Sequence, residues 1–185
     1  MEPLEQLDEL GPVLGGVVST ITPEQLDNST PCAGYTVRGV LDHMIGGATA
    51  FAGAFRGANG NATPPDSGDK VADFGAALGD LAAAMHEPGA LDRTIQSPFG
   101  EMAGADFARY VVLDGLVHGW DLSTATGQPY DPPEHLVVEV FEYARSTLDP
   151  LRDGDTFTAA ADAPAGASTL EQLVAYTGRN PGGNR

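Results

Sequence analysis

Apolar residues in this sequence recur three and four positions apart over long stretches, and that period commits most of the chain to helices. Leu4, Leu7, Leu14, Val18 and Ile21 fall near one face of a first helix predicted over residues 3–21, which Pro12 should kink. Thr22-Pro23-Glu24 then reads as a cap with proline at the first helical position of a short turn. After the loop NSTPCAGY, Thr36 caps a second helix predicted over 37–56, with Val40, Met44, Phe51 and Phe55 on its apolar stripe and Gly47 and Ala48 allowing close contact. The stretch GANGNATPPDSG is the clearest loop. A third helix over 69–86 carries Phe74, Leu78, Leu81 and Met85 and ends at Pro88-Gly89.

Residues 91–103 have little helical period and read as an extended segment with a turn at Phe99-Gly100. A fourth helix is predicted over 104–126, stopped by Gly127. Pro132 and Pro133 open a fifth over 133–148, with Leu136, Val140, Phe141, Ala144 and Leu148 turned inward. A short strand is predicted around Phe157. Ser168 and Glu171 form a capping box for a last helix over 169–177, closed by Gly178. Strand signals are too few and too short for a sheet core, so an all-α bundle is the economical architecture. No repeat divides the sequence, and 185 residues suit one domain over 1–185.

Composition narrows the partners. There are 26 acids against 9 bases, a formal net charge of -17, and Lys70 is the only lysine. Such a chain repels phosphate backbones and anionic bilayers, so neither nucleic acid nor membrane is an expected partner. The excess charge reads first as a device for solubility or salt tolerance, and second as a field that gathers cations near a metal site. Cys32 is the only cysteine, which rules out an internal disulfide and suits a reducing compartment. The opening MEPLEQLDEL lacks a basic, then apolar, secretory pattern. No apolar run of about 18 residues could span a membrane. A cytoplasmic location is expected.

The most informative segment is Asp114-Gly-Leu-Val-His118-Gly-Trp120-Asp121. Positions four apart share a helix face, so Asp114 and His118 can aim a carboxylate oxygen and an imidazole nitrogen at one point. Two ligands hold a divalent ion poorly. His43, mid-helix in a largely apolar context, is the natural third. Two histidines and a carboxylate leave positions open for water or substrate. The plain alternative is a helix-surface ion pair beside a hydrogen-bonded core histidine. Against it, Leu113, Leu116, Val117 and Trp120 make this helix mostly apolar, and an Asp and a His inside it need partners.

Three blocks in order carry a resemblance. Thr30-Pro31-Cys32-Ala-Gly34-Tyr35-Thr36-Val37-Arg38 with Leu41-x-His43-x-x-Gly46-Gly47 is similar to the start of the mycothiol-dependent maleylpyruvate isomerase-like proteins, within the DinB/bacillithiol-transferase-like superfamily. Asp114-x-x-x-His118-Gly119-Trp120-Asp121-Leu122-x-x-Ala125-Thr126-Gly127 is similar to the second block. Leu173-x-x-x-Thr177-Gly178-Arg179-Asn180-Pro181 resembles the tail of an actinobacterial branch described as metal-binding. The resemblance implies a DinB-like four-helix-bundle core with extra short C-terminal elements. It also implies a divalent metal, often zinc or nickel, held by one residue of the second helix and a pair from a later one. His43 matches the first, Asp114 and His118 the pair. The superfamily commonly has His or Glu at Asp114, and the shorter Asp would draw the ion toward its own helix. Asp121 is the alternative carboxylate, read first as a hydrogen-bond acceptor behind the ligands or a helix-end partner.

Other residues have quieter readings. Cys32 is a packing cysteine before it is a nucleophile or a thiol beside the metal. Tyr35 stands where the family usually has Trp. Trp120 packs in the core rather than walling a substrate. His86 and His135 are solvated, and Arg109 makes a surface ion pair. Gly46-Gly47 lies inside a helix without a following Lys-Ser/Thr and is no phosphate loop. Beyond the ligands the sequence offers no clear general base and no obvious basic pocket. No catalytic or cofactor-contacting residue is assigned. Two functions stay open. One is an isomerase or S-transferase in which a metal and a low-molecular-weight thiol, mycothiol or a relative, act on a small electrophile, with metal-activated hydrolysis as a variant. The other is a non-catalytic metal- or ligand-binding module of the same fold.

Overall fold

A computed structural model describes residues 1–58, 62–97, 99–152 and 159–183. The helices are α1 (Pro3–Ser19), α2 (Val37–Phe55), α3 (Lys70–Met85), α4 (Gly104–Thr126), α5 (Glu134–Thr147) and α6 (Thr169–Tyr176). Strands β1 (Thr94–Ser97) and β2 (Gly100–Ala103) form an antiparallel hairpin that pairs Thr94 with Ala103 and Ser97 with Gly100. The class is therefore all-α with a small hairpin where the extended segment was expected. The strand expected around Phe157 falls outside the described residues. No helix of the described residues is long and apolar enough to cross a membrane.

Local chemistry sets the boundaries. The Thr36 hydroxyl accepts from the Gly39 amide at 3.2 Å and starts α2. Asp69 accepts from Val71 and Ala72 at 3.0 and 3.2 Å and starts α3. Gly127 ends α4 at φ +71°, a left-handed conformation that side chains with a Cβ rarely adopt. The Ser168 and Glu171 capping box opens α6. Pro12 lies inside α1, which is helical throughout from Pro3 to Ser19, so it does not interrupt the element. Leu10 and Leu14, on either side of it, are both buried, and the helix continues past the proline at the cost of one backbone hydrogen bond.

Helices α1 to α4 close a ring of contacts, α2 on α3, α3 on α1, α1 on α4 and α4 on α2, while α5 packs on α4 and α6. The core that results includes Leu10, Val40, Leu41, Phe55, Phe107, Leu116 and Leu136, all nearly inaccessible. Phe141, expected inward, is only half-buried and meets the Tyr176 ring edge-on at a centroid distance of 5.8 Å. Helix α4 is the axis of the molecule: every residue from Val111 to Ser123 except Asp114 is buried. Its polar groups thus sit inside the packing, and that is what positions the site.

Candidate metal centre

A cavity of about 330 Å³ opens between the loop before α2, helix α2, helix α4 and the segment after α6. His43 comes from α2, Asp114 and His118 from one face of α4, and all three line it. The Asp114 Oδ1 atom lies 3.6 Å from His43 Nε2 and 3.6 Å from His118 Nε2. The three donor atoms all fall within 4.8 Å of one another. The two rings meet edge-to-face with centroids 4.9 Å apart. His118 is nearly enclosed, Asp114 is partly so, and His43 is the solvent-facing member.

The donor set suits a divalent ion. Two bonds of about 2.1 Å at a near-tetrahedral angle put their donor atoms about 3.4 Å apart. The 3.6 Å separations are close to that and too long for good hydrogen bonds. Close contact with Asp114 raises the pKa of His43, burial opposes that rise, and the carboxylate charge adds to it. Burial alone would raise the pKa of Asp114. His118, His43 and Arg179 outweigh it and hold the carboxyl below its ordinary value. The site is thus poised to keep an anionic oxygen between two imidazoles.

Asp121 takes a different place. It is fully buried and does not line the cavity. Its Oδ2 accepts from His118 Nδ1 at 3.0 Å, and Arg179 donates to its two oxygens at 2.9 and 3.3 Å. A carboxylate can only accept, so Nδ1 is the donor of this bond, and in the neutral ring Nε2 is left with its lone pair on the cavity side. Cys32, His118 and Asp121 form a second potential ligand group among the described residues. Both carboxylate oxygens of Asp121 are already engaged there.

Arg179 adds one basic group to a site for which the sequence showed no obvious basic pocket. Its guanidinium lines the cavity and is mostly buried. Its charge tends to lower the pKa of Cys32, His43, Tyr110 and Asp114 alike. Position 179 lies 58 residues beyond Asp121, so spacing gave no sign of the contact. The one available signal was an arginine inside the tail motif of a base-poor chain. Cys32 also does more than pack, since it lines the cavity half-buried. Burial pushes its thiol pKa up, which disfavours a thiolate nucleophile. Tyr35 is exposed beside His43, with ring centroids 6.3 Å apart.

The remaining residues take bland places. Trp120 is buried away from the cavity lining. His86 contacts Asp8 at 2.9 Å and His135 contacts Glu9 at 2.7 Å, both at the surface. Arg109 pairs with Asp106 at 3.6 Å.

Comparison with known proteins finds relatives of this chain. Two proteins of Mycobacterium tuberculosis, "Uncharacterized protein MT0763" of strain CDC 1551 / Oshkosh and "Uncharacterized protein Rv0738" of strain H37Rv, are each 30% identical to it over 185 residues, 97% of this chain and 98% of theirs. No solved structure matches significantly. The model of the mycothiol maleylpyruvate isomerase N-terminal domain matches residues 7–123, a span that contains His43, Asp114, His118 and Asp121. The chain therefore belongs to the mycothiol maleylpyruvate isomerase N-terminal domain family.

Proposed function

We propose that this chain, acting as one domain over 1–185, holds a divalent metal with His43, Asp114 and His118 and works with a low-molecular-weight thiol such as mycothiol on a small electrophile, as an isomerase or S-transferase. The observation that carries this reading is the meeting of two imidazole nitrogens and one carboxylate oxygen in a solvent-connected cavity. A zinc or nickel ion there would lower the pKa of a coordinated thiol and so keep a thiolate nucleophile available at neutral pH. Asp114 supplies negative charge that two neutral histidines lack. Leu113 and Val117 add apolar surface to the cavity lining, and Arg179 adds one positive charge to it.

Elemental analysis of the purified chain and of His118→Ala, with circular dichroism on the same samples, tests the metal. One equivalent in the parent, its near-complete loss in the variant and unchanged helix content are expected, because the core is large enough to fold without the ion. No metal in the parent after zinc or nickel loading would refute the reading. Depletion of added thiol by a generic electrophile, measured with and without metal, then tests the chemistry. Metal uptake without metal-dependent depletion would leave a non-catalytic binding module.

A further inference from the structure

Asp121 and Arg179 form a buried ion pair behind the donor face of His118. Asp121 is inaccessible to solvent, and the Arg179 side chain is 13% exposed. The guanidinium reaches both carboxylate oxygens and donates from its third nitrogen to the Thr177 carbonyl at 3.2 Å. The Asp121 oxygen that takes the 2.9 Å bond from Arg179 is the one that takes His118 Nδ1–H. Arg179, Asp121 and His118 are therefore linked in series, with His118 Nε2 at the cavity end.

Tethering the tail does not account for this pair. Leu173, Val174 and Ala175 of α6 are already buried, with α6 packed on α5 and α4. The Arg179 amide is bonded to the Val174 carbonyl at 3.0 Å, and Gly178 at φ +90° turns the chain back toward α4. Buried ion pairs are moreover poor stabilisers, since desolvating both charges offsets most of their attraction. What the pair does supply is orientation. A bidentate arginine fixes the carboxylate plane, and the fixed carboxylate fixes the imidazole.

We infer that Arg179 is a positioning residue for the metal centre, setting the tightness of metal binding through Asp121 and His118. The inference rests on the metal reading above. It also means that the centre is completed by a segment beyond residues 7–123, the span that matches the family model.

Zinc affinity of the full chain, measured by competition with a chromophoric chelator, tests this in Arg179→Met, Arg179→Lys, Asp121→Asn and the Arg179→Met/Asp121→Asn pair. Arg179→Met should weaken zinc by about 10–100-fold, the usual effect of removing a group that orients a ligand. Arg179→Lys should recover part of that, because an ammonium returns the charge but not the two-pronged geometry. In the Asp121→Asn background, Arg179→Met should cost little more, since groups acting in series are not additive. Arg179→Lys and the charge-free double variant keep the test available where Arg179→Met alone folds poorly. A lower melting temperature with parental zinc affinity in Arg179→Met would overturn the inference and leave Arg179 a tail anchor. A parent chain that takes up no zinc would instead overturn the metal reading itself.

Discussion

Two aspartates seven residues apart on α4, Asp114 and Asp121, are divided by burial into different roles. Asp114 is the one residue between Val111 and Ser123 that is only partly buried, and it lines the cavity. Asp121 is sealed, with both oxygens occupied by Arg179 and His118. Sequence spacing could not separate them, because one lies four residues before His118 and the other three after, and both offsets share a helix face. Asp114→Asn keeps the size and one oxygen donor but removes the charge that two neutral histidines need. Zinc affinity should then fall by more than the about 10–100-fold expected for a partner outside the ligand set. Asp121→Asn should fall within that range. Chelator competition gives both values, and the reverse order would make Asp121 the ligand.

Among the elements, those with local stop and start signals were legible in the sequence. Thr36, Gly127 and the Ser168 and Glu171 pair mark ends that the structure keeps, because capping bonds form within three or four residues of one another. What depends on distant packing was not legible. Pro12 reads as a disturbance of its helix, yet α1 stays helical through it, with buried Leu10 and Leu14 on either side. Arg179 reads as part of a tail motif, yet folding seats it on Asp121. His43, Asp114 and His118 lie between these extremes. The i, i+4 pair is a local pattern, while the arrival of α2 beside α4 follows only from the ring of helices. Capping and the site should accordingly be separable. Asp69→Ala removes the acceptor for the Val71 and Ala72 amides at the start of α3. A loss of about 1 kcal/mol in urea unfolding is expected, with zinc affinity unchanged because α3 contributes no residue to the cavity. A matching loss of affinity would show that α3 props α2 in the orientation His43 requires.

For the whole molecule, the dominant electrostatic fact is the formal net charge of -17, with 26 acids sharing 9 bases. Two effects of salt oppose each other. Salt weakens surface ion pairs such as Arg56 with Asp80 at 2.9 Å and Lys70 with Asp42 at 2.9 Å. Pairs of this exposed kind contribute about 0–1 kcal/mol each. Salt also relieves repulsion among the acids left without a basic partner, which opposes the compact state throughout its surface. The bases are too few for the first effect to win: even if every one were paired, 17 acids would remain in excess. The screening length shrinks from about 30 Å at 0.01 M to about 10 Å at 0.1 M, so repulsion between separated acids fades while contacts near 3 Å persist. Raising sodium chloride from about 0.01 M to about 0.3 M should therefore raise the melting temperature of the metal-free chain, by about 2–4 °C per kcal/mol of repulsion relieved. Calorimetry in the presence of a chelator reads this directly. A melting temperature that falls with salt would mean that the few arginine and lysine pairs carry more of the stability than the excess negative charge removes.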